Sequence, residues 1–142
     1  MKQVEESECP FCRAEVAGST GRLAYSMPDD SPATPGHTLI VLARHESNLV
    51  NANIEEWQAV WALAREKAVA LLGQPGVDGM NIGVNIGVSA GQTVSHAHVH
   101  LIPRTTGDSA DPRGGVRRIL EPAPAPPSRL APVAWGIEQG TQ

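Results

Sequence analysis

The sequence lacks three features that would point to particular functional classes. No apolar run is long enough to span a bilayer, and the start, MKQVEESE, does not have the pattern of a signal peptide. The 11 basic residues are outnumbered by 15 acidic ones, so the net charge of -4 gives no general attraction for nucleic acid or an anionic membrane. With only three Trp, one Tyr and one Phe, the core must consist mainly of Val, Ile, Leu and Ala. The length of 142 residues and the hydrophobic content of 41% predict a soluble, cytoplasmic protein with one globular domain.

Cysteine is scarce as well, and its two copies lie close together. Cys9 and Cys12 have the spacing of half a zinc site, and they are too close to suggest a disulfide framework. Zinc needs two further ligands, which His45 and one histidine of the later run 96–100 would supply. The competing interpretation is a redox dithiol, which should follow a strand and open a helix. Because Cys9 follows the polar residues EESE, zinc is favoured over a redox role and over a site that holds no metal.

The rest of the sequence combines strand-like and helix-like patterns. Strands are predicted at 21–27 and 37–43, joined by a loop rich in Pro, Asp and Gly. A helix begins after Asn53, which forms a capping-box pattern with Glu56, and it ends at Gly73. Residues 80–87 and 92–103 predict two more strands, paired as an antiparallel hairpin through a short glycine-containing turn. The apolar residues that recur at helical spacing are expected to face the core: Trp57, Val60, Trp61, Ala64, Ala68 and Leu71.

The composition changes near residue 120. Residues 1–120 are assigned to one domain that includes the cysteine pair, and residues 121–142 to a tail rich in Pro and Ala. The tail contains Trp135 and Ile137, which could dock on this subunit or on another.

Three of the five histidines, His96, His98 and His100, occupy alternate positions. On a strand their side chains share one face, and the apolar residues between them point into the core. A merely solvated polar face would be an unusual use of histidine. Neighbouring rings could share a metal ion, but the outer two are about 13 Å apart along a strand, too far to converge easily on one ion. We therefore expect the three rings to have different roles.

One of these rings can serve a reaction at phosphorus. A neutral imidazole is a competent nucleophile, and a large fraction is neutral near physiological pH. The stretch SAGQT, residues 89–93, leads into the histidine run. It offers backbone N–H groups and the Gln92 and Thr93 side chains to phosphate oxygens. A protonated His100 would add positive charge.

The run HAHVHLI, residues 96–102, resembles the signature of the histidine-triad (HIT) family, in which three histidines alternate with hydrophobic residues. Other stretches follow the order seen in bacterial HIT proteins: CPFC, TPGHTLIV, RHESNL, GVNIGVSAGQTVSHAHVHLIPR and GDSADPRGGVR. The resemblance covers residues 9–120. It implies an α+β, HIT-like fold with an antiparallel sheet of about five strands, one main helix and a shorter one, usually in a homodimer.

The resemblance also implies roles for individual residues. His98, the middle histidine, is implied to be the nucleophile that attacks the α-phosphorus. Phosphate contacts are implied for Gln92, Thr93 and His100, with Thr93 helping to protonate the leaving group. The implied substrate-binding positions are Asp29, for the ribose hydroxyls, and His37, Asn85, Gly91 and Gln92. The implied ligands of a structural zinc are Cys9, Cys12, His45 and His96.

These implications predict an enzyme that acts on a purine nucleotide. The expected reaction is hydrolysis at the α-phosphate of an adenosine-type derivative, either a phosphoramidate or a dinucleoside polyphosphate, through a covalent nucleotidyl-histidine. The alternative is a non-catalytic, zinc-stabilised module that binds a nucleotide or a protein. Such a module would need the metal ligands but neither His98 nor Thr93.

Overall fold

The computed structural model describes residues 6–15 and 21–119, and an antiparallel sheet lies at its centre. The four strands are β1 (Ala24–Pro28), β2 (Thr38–Leu42), β3 (Gly79–Gly83) and β4 (His98–Arg104), in the order β1-β2-β4-β3. The helices are α1 (Pro10–Glu15) and α2 (Ile54–Leu72). The α+β class, the main helix and the shorter one are confirmed. The described residues form four strands, where about five were expected.

The long helix α2 covers one face of this sheet. Alternate residues of the strands, among them Ile40, Val99 and Leu101, point toward the helix and are fully buried. Val60 and Ala64 of α2 pack against them. This aliphatic layer is the main core, as the low aromatic content predicts.

The opposite face of the sheet carries the histidines and is covered by the N-terminal segment. Leu39 and Val41 of β2 lie on this face and pack with Cys9 and Phe11. In the antiparallel register, Leu39 pairs with His100 and Val41 pairs with His98. His98 and His100 therefore share this second face, as their alternate spacing predicts.

The start of α2 follows the sequence prediction closely. Asn53 accepts a hydrogen bond from the Glu56 backbone N–H, and the Glu56 carboxylate accepts one from the Asn53 N–H, so the capping box is complete. The prediction that the whole apolar stripe faces the core is wrong at Trp57, which is 38% exposed. Trp61 is half-buried, and its ring lies against that of Trp57.

The hairpin at the end of the sheet is confirmed as an antiparallel pair of β3 and β4. The prediction of a short turn is wrong, because β3 ends at Gly83 and β4 begins only at His98. Residues 84–97 form a folded loop in which Gly87 and Gly91 have φ of 85° and 87°, values that favour glycine. His96 lies in a bend of this loop, with its N–H bonded to the Val94 carbonyl, and is not part of the strand.

A first compact unit ends at Asp111, and a second begins at Pro112. The described part of the second unit contains one short 3-10 turn, Gly115–Arg117. The proposed tail, 121–142, lies outside the described residues, as do Trp135 and Ile137. Neither described helix combines the length and the hydropathy needed to cross a bilayer.

Candidate active site and metal centre

Two cysteines and two histidines from three separate segments meet beside the sheet. Cys9 and Cys12 flank the start of α1, His45 follows β2, and His96 precedes β4. The Sγ and ring nitrogen atoms all lie within 4.8 Å of one another. The Nδ1 atom of His96 is 3.3 Å from the Sγ of Cys9 and 3.5 Å from that of Cys12, while Nδ1 of His45 is 3.2 Å from Cys12. We call these four residues the Cys/His cluster.

The hydrogen bonds around His96 fit a metal ligand. Its Nε2–H donates to the Leu42 carbonyl at 2.6 Å, so Nδ1 carries the lone pair that faces the thiols. A histidine that binds a metal usually donates its other ring N–H to an oxygen such as a backbone carbonyl, and this bond fixes the orientation and tautomer of the ring. The donor set of two thiolates and two imidazoles is typical of structural zinc, and these residues could hold such an ion.

His98, the first residue of β4, has the opposite proton arrangement. Its Nδ1–H donates to the His96 carbonyl at 2.7 Å, which leaves Nε2 unprotonated. Burial lowers the pKa of His98 below its usual value, more than the His96 carbonyl raises it. The ring is therefore neutral near pH 7, and Nε2 can act as a nucleophile.

His100, His37 and Asp29 form a second polar group beside His98. The backbone N–H of Ala33 donates to Nδ1 of His37 at 3.1 Å, so the His37 proton must lie on Nε2. That Nε2–H donates to Nδ1 of His100 at 3.0 Å. His100 consequently carries its own proton on Nε2 and can donate it to a ligand. One Asp29 oxygen lies 3.5 Å from His37 and 3.8 Å from His100.

The sequence left the protonation state of His100 open, and its surroundings favour the neutral form. Burial, followed by the neighbouring His98 and His37, lowers the pKa of His100 to about 4. His100 is therefore a neutral hydrogen-bond donor near pH 7 rather than a positive charge for phosphate.

The same group of Asp29, His37 and His100 has donor atoms close enough for a metal ion. The proton positions argue against that use. Because Nδ1 of His37 accepts the Ala33 N–H, binding of a metal by Nε2 would require an imidazolate. The hydrogen-bonded chain accounts for the short contacts without a metal ion.

The loop before β4 holds the other predicted site residues. The Gln92 side chain is buried; its oxygen accepts the Gly87 N–H at 2.8 Å, and its nitrogen donates to the Ser47 carbonyl at 2.8 Å. The N–H groups of Ala90, Gly91 and Gln92 bond to carbonyls within the loop. Fewer backbone donors are therefore available to phosphate than the sequence suggested.

Thr93, Gly91 and Asn85 remain accessible in this loop. Thr93 and Gly91 are exposed and Asn85 is half-buried. No hydrogen bond among the described residues engages the Thr93 hydroxyl, so it is available to a ligand.

Asp29 makes a local turn contact and also faces the histidines. One carboxylate oxygen accepts the Ser31 N–H at 2.7 Å, as expected for turn chemistry. The other oxygen faces His37 and His100.

Sequence reasoning missed Phe11 and the backbone carbonyls that orient the rings. The Phe11 ring is 5.1 Å from the His98 ring and nearly perpendicular to it, at 77°. Its position inside the motif CPFC was the available signal. The carbonyls of Leu42 and His96 have no signal in the sequence, because every residue has a backbone carbonyl.

Comparison with known proteins identifies the family of the chain. The HIT domain profile matches residues 20–107, more than half of the chain. A zinc-bound histidine triad family protein of Mycobacterium smegmatis has a similar structure, with a TM-score of 0.65 and 30% identity, over 75% of this chain and 82% of that one.

Two relatives are named for enzyme activities. An AP-4-A phosphorylase of Mycobacterium tuberculosis is 32% identical over 63% of this chain and 46% of its own length. A bis(5'-adenosyl)-triphosphatase of Dictyostelium discoideum is 30% identical over 63% of this chain and 60% of its own length. The chain thus spans less than two thirds of these two enzymes. The family match, the alternating histidines at 96, 98 and 100 and the zinc-bound structural relative together establish that the chain belongs to the HIT domain family.

Proposed function

We propose that this protein hydrolyses adenosine-type nucleotide derivatives at the α-phosphate through a covalent nucleotidyl-His98. The observation that carries the proposal is the hydrogen bond from His98 Nδ1–H to the His96 carbonyl at 2.7 Å, which keeps Nε2 unprotonated. The names of the phosphorylase and the triphosphatase support a nucleotide substrate at the level of the family, and the name of the triphosphatase supports hydrolytic chemistry.

The reaction we propose has two displacement steps. The lone pair of His98 Nε2 attacks the α-phosphorus, forming an N–P bond while the bond from phosphorus to the leaving group breaks. The leaving group takes a proton with help from the Thr93 hydroxyl. Water then attacks the same phosphorus and loses one proton to solvent, which balances the proton taken up by the leaving group. The N–P bond breaks with its electron pair returning to Nε2, and the nucleoside monophosphate is released with His98 restored.

The neighbouring residues would bind and orient the nucleotide. His100 would donate its Nε2–H to a phosphate oxygen, and His37 would hold His100 in the tautomer that permits this. Asp29 would accept hydrogen bonds from the ribose hydroxyls. Asn85 and Gly91 are proposed as further substrate contacts because of their positions in the family pattern.

For Gln92, the contacts support an indirect contribution. Its side-chain amide is already bonded to Gly87 and Ser47, so it would shape the phosphate-binding loop in addition to any direct contact with phosphate.

We propose that the Cys/His cluster holds a structural zinc. Four protein ligands complete a tetrahedral site and leave no position for a reactive water, so the ion would contribute stability rather than direct catalysis. The reduced thiols that such a site needs favour a cytoplasmic location. A homodimer is proposed from the family resemblance.

Turnover by the wild-type protein and by His98→Ala tests the proposal. We expect the wild type to release AMP from adenosine 5′-phosphoramidate or diadenosine tetraphosphate, and the variant to lose at least ~1000-fold in kcat because no other nucleophile is in place. Gln58→Ala, at an exposed position of α2, is the matched control and should retain activity. If the wild type turns over neither compound, the proposal fails and a zinc-stabilised binding module becomes the better account.

A further inference from the structure

Phe11 connects the Cys/His cluster with the proposed nucleophile. It lies directly before Cys12 in α1. Its ring centroid is 5.1 Å from that of His98 and 5.7 Å from that of His96, with interplanar angles of 77° and 74°. Edge-on contacts of this kind favour one relative orientation of two rings.

The surroundings of Phe11 fix its position. The residue is buried and packs against Leu39 and Val41 on the histidine face of the sheet. The Tyr25 hydroxyl donates to its backbone carbonyl at 2.6 Å. Since Cys9 and Cys12 flank it, an ion bound by the cluster would hold its backbone on both sides.

Besides the ring contact with Phe11, a hydrogen bond to His96, a member of the cluster, restrains His98. The His96 carbonyl accepts the Nδ1–H of His98, and the His96 side chain bridges the cluster and the Leu42 carbonyl. The ring contact with His98 is thus made by Phe11, which lies between two cysteines of the cluster, and the hydrogen bond is made by His96, which belongs to it.

We propose that Phe11 is a positioning residue for His98, and that the metal-loaded cluster acts through Phe11 and the His96 carbonyl to hold His98 in one orientation and one tautomer. The catalytic consequence rests on the proposed function. The effect on the tautomer does not, because it can be measured without substrate.

The test compares two variants without the aromatic ring, Phe11→Leu and Phe11→Met, with wild type, all loaded with zinc and checked by metal analysis. Long-range ¹H–¹⁵N NMR of the imidazoles at pH 8 reports which nitrogen of His98 carries the proton. Steady-state turnover of adenosine 5′-phosphoramidate separates kcat from KM. Val60→Ala, in the core on the opposite face of the sheet, is the control for a general loss of packing.

We expect kcat of the Phe11 variants to fall about 10- to 100-fold with KM changed by less than about threefold, because a small displacement of a nucleophile is costly. His98 should show a mixture of tautomers in the variants and in wild type from which zinc has been removed. Val60→Ala should keep the wild-type tautomer and kcat.

Three results would overturn parts of the proposal. If both Phe11 variants have the wild-type kcat and the wild-type tautomer of His98, Phe11 does not position His98. If the tautomer of His98 is unchanged in zinc-free wild type, the metal-loaded cluster does not position it. A variant that does not retain zinc is compared with zinc-free wild type. If the two have the same kcat, a role for Phe11 is also rejected. If the wild type shows no turnover, the proposed function fails, and the NMR comparison still decides whether Phe11 and the cluster position His98.

Discussion

At the scale of single residues, the site depends on which nitrogen of each imidazole carries the proton. His96 has its proton on Nε2 and turns the Nδ1 lone pair toward the thiols, whereas His98 has its proton on Nδ1 and keeps Nε2 unprotonated. Two histidines separated by one residue therefore suit different tasks, a metal ligand and a nucleophile. In each case the backbone carbonyl that accepts the ring N–H determines which nitrogen carries the proton.

The chain from Ala33 through His37 to His100 leads to a testable prediction. We expect His37→Phe to lower kcat/KM about 10- to 100-fold, the usual cost of losing a group that orients a functional histidine. The phenyl ring preserves the approximate shape of the side chain but cannot fix the proton of His100. Steady-state kinetics of AMP release checks this.

Thr38→Val is the matched control for that variant. Thr38 follows His37 and is the first residue of β2. Among the described residues, its hydroxyl bonds only to the Gly36 carbonyl, outside the histidine chain. A kcat/KM within about twofold of wild type is expected there. An equal loss in both variants would mean that disturbance of β2, rather than the His37 hydrogen bond, causes the effect.

The sequence and its family resemblance predicted that Cys9, Cys12, His45 and His96 come together, but the positions of the protons on the histidine rings could not be predicted. The spacing of Cys9 and Cys12, with two more histidines, was enough to suggest a four-ligand site. The tautomer of His98 depends on where the His96 carbonyl lies, which is set by the bend before β4. For the same reason the sequence placed His96 on the strand, where it does not lie.

At the scale of secondary-structure elements, the N-terminus of α2 anchors the segment that carries His45. Glu56 is buried, completes the capping box and accepts two hydrogen bonds from Arg44, at 2.8 and 2.9 Å. Because Arg44 directly precedes His45, this ion pair ties a proposed metal ligand to the helix.

Acid should weaken this anchor in a defined pH range. The hydrogen bond from Arg44, together with other contacts, lowers the pKa of Glu56 from 4.5 to about 2. Since the folded-state pKa is the lower one, the stabilisation is complete above about pH 5 and is lost as the pH falls from 4.5 toward 2. We expect Glu56→Gln to reduce the free energy of unfolding by about 1–2 kcal/mol at pH 7, less than the full shift implies because Arg44 is half exposed.

Glu55→Gln provides the comparison for this measurement. Glu55 is the exposed neighbour in the same helical turn. The free energies of unfolding of the two variants are measured in urea at pH 7 and at pH 2.5. They should differ at pH 7, and the difference should be smaller at pH 2.5. A difference of the same size at both values would contradict the linkage argument.

The sequence predicted the limits of a helix or strand well where residues close together in the chain determine them. The capping box of Asn53 and Glu56 lies within four residues, so the sequence specified the start of α2. The exposure of Trp57 depends on which part of the helix faces the sheet, and that is set by tertiary packing. The loop between Gly83 and His98 makes long-range contacts, such as the hydrogen bond from Gln92 to the Ser47 carbonyl, which the sequence pattern does not reveal.

At the scale of the whole molecule, the described sheet leaves β3 at an edge. Its only partner among the described strands is β4, and Ile82 on it is 42% exposed. Exposed edge strands are available for pairing with another chain. We therefore expect the proposed homodimer to use this edge.

Light scattering checks the assembly. The wild type should have twice the mass of one 15.0 kDa chain, and Ile82→Lys should shift it toward the monomer because a charge at the edge opposes strand pairing. Val50→Lys changes an equally apolar but more exposed position, 67% against 42%, away from the sheet, and should remain dimeric. A monomeric wild type would refute the dimer, and a dimeric Ile82→Lys would exclude the β3 edge.

The proposed function depends above all on a covalent bond between His98 and the nucleotide. The most direct measurement is rapid-quench mass spectrometry of the wild-type protein with adenosine 5′-phosphoramidate, followed by peptide mapping at neutral to alkaline pH, where a phosphoramidate bond survives. The account predicts a mass increase of one adenylyl group, located on His98 and absent from His98→Ala. An adduct on another residue would contradict a covalent role for His98. So would turnover without any adduct, under conditions in which hydrolysis of the intermediate is slow.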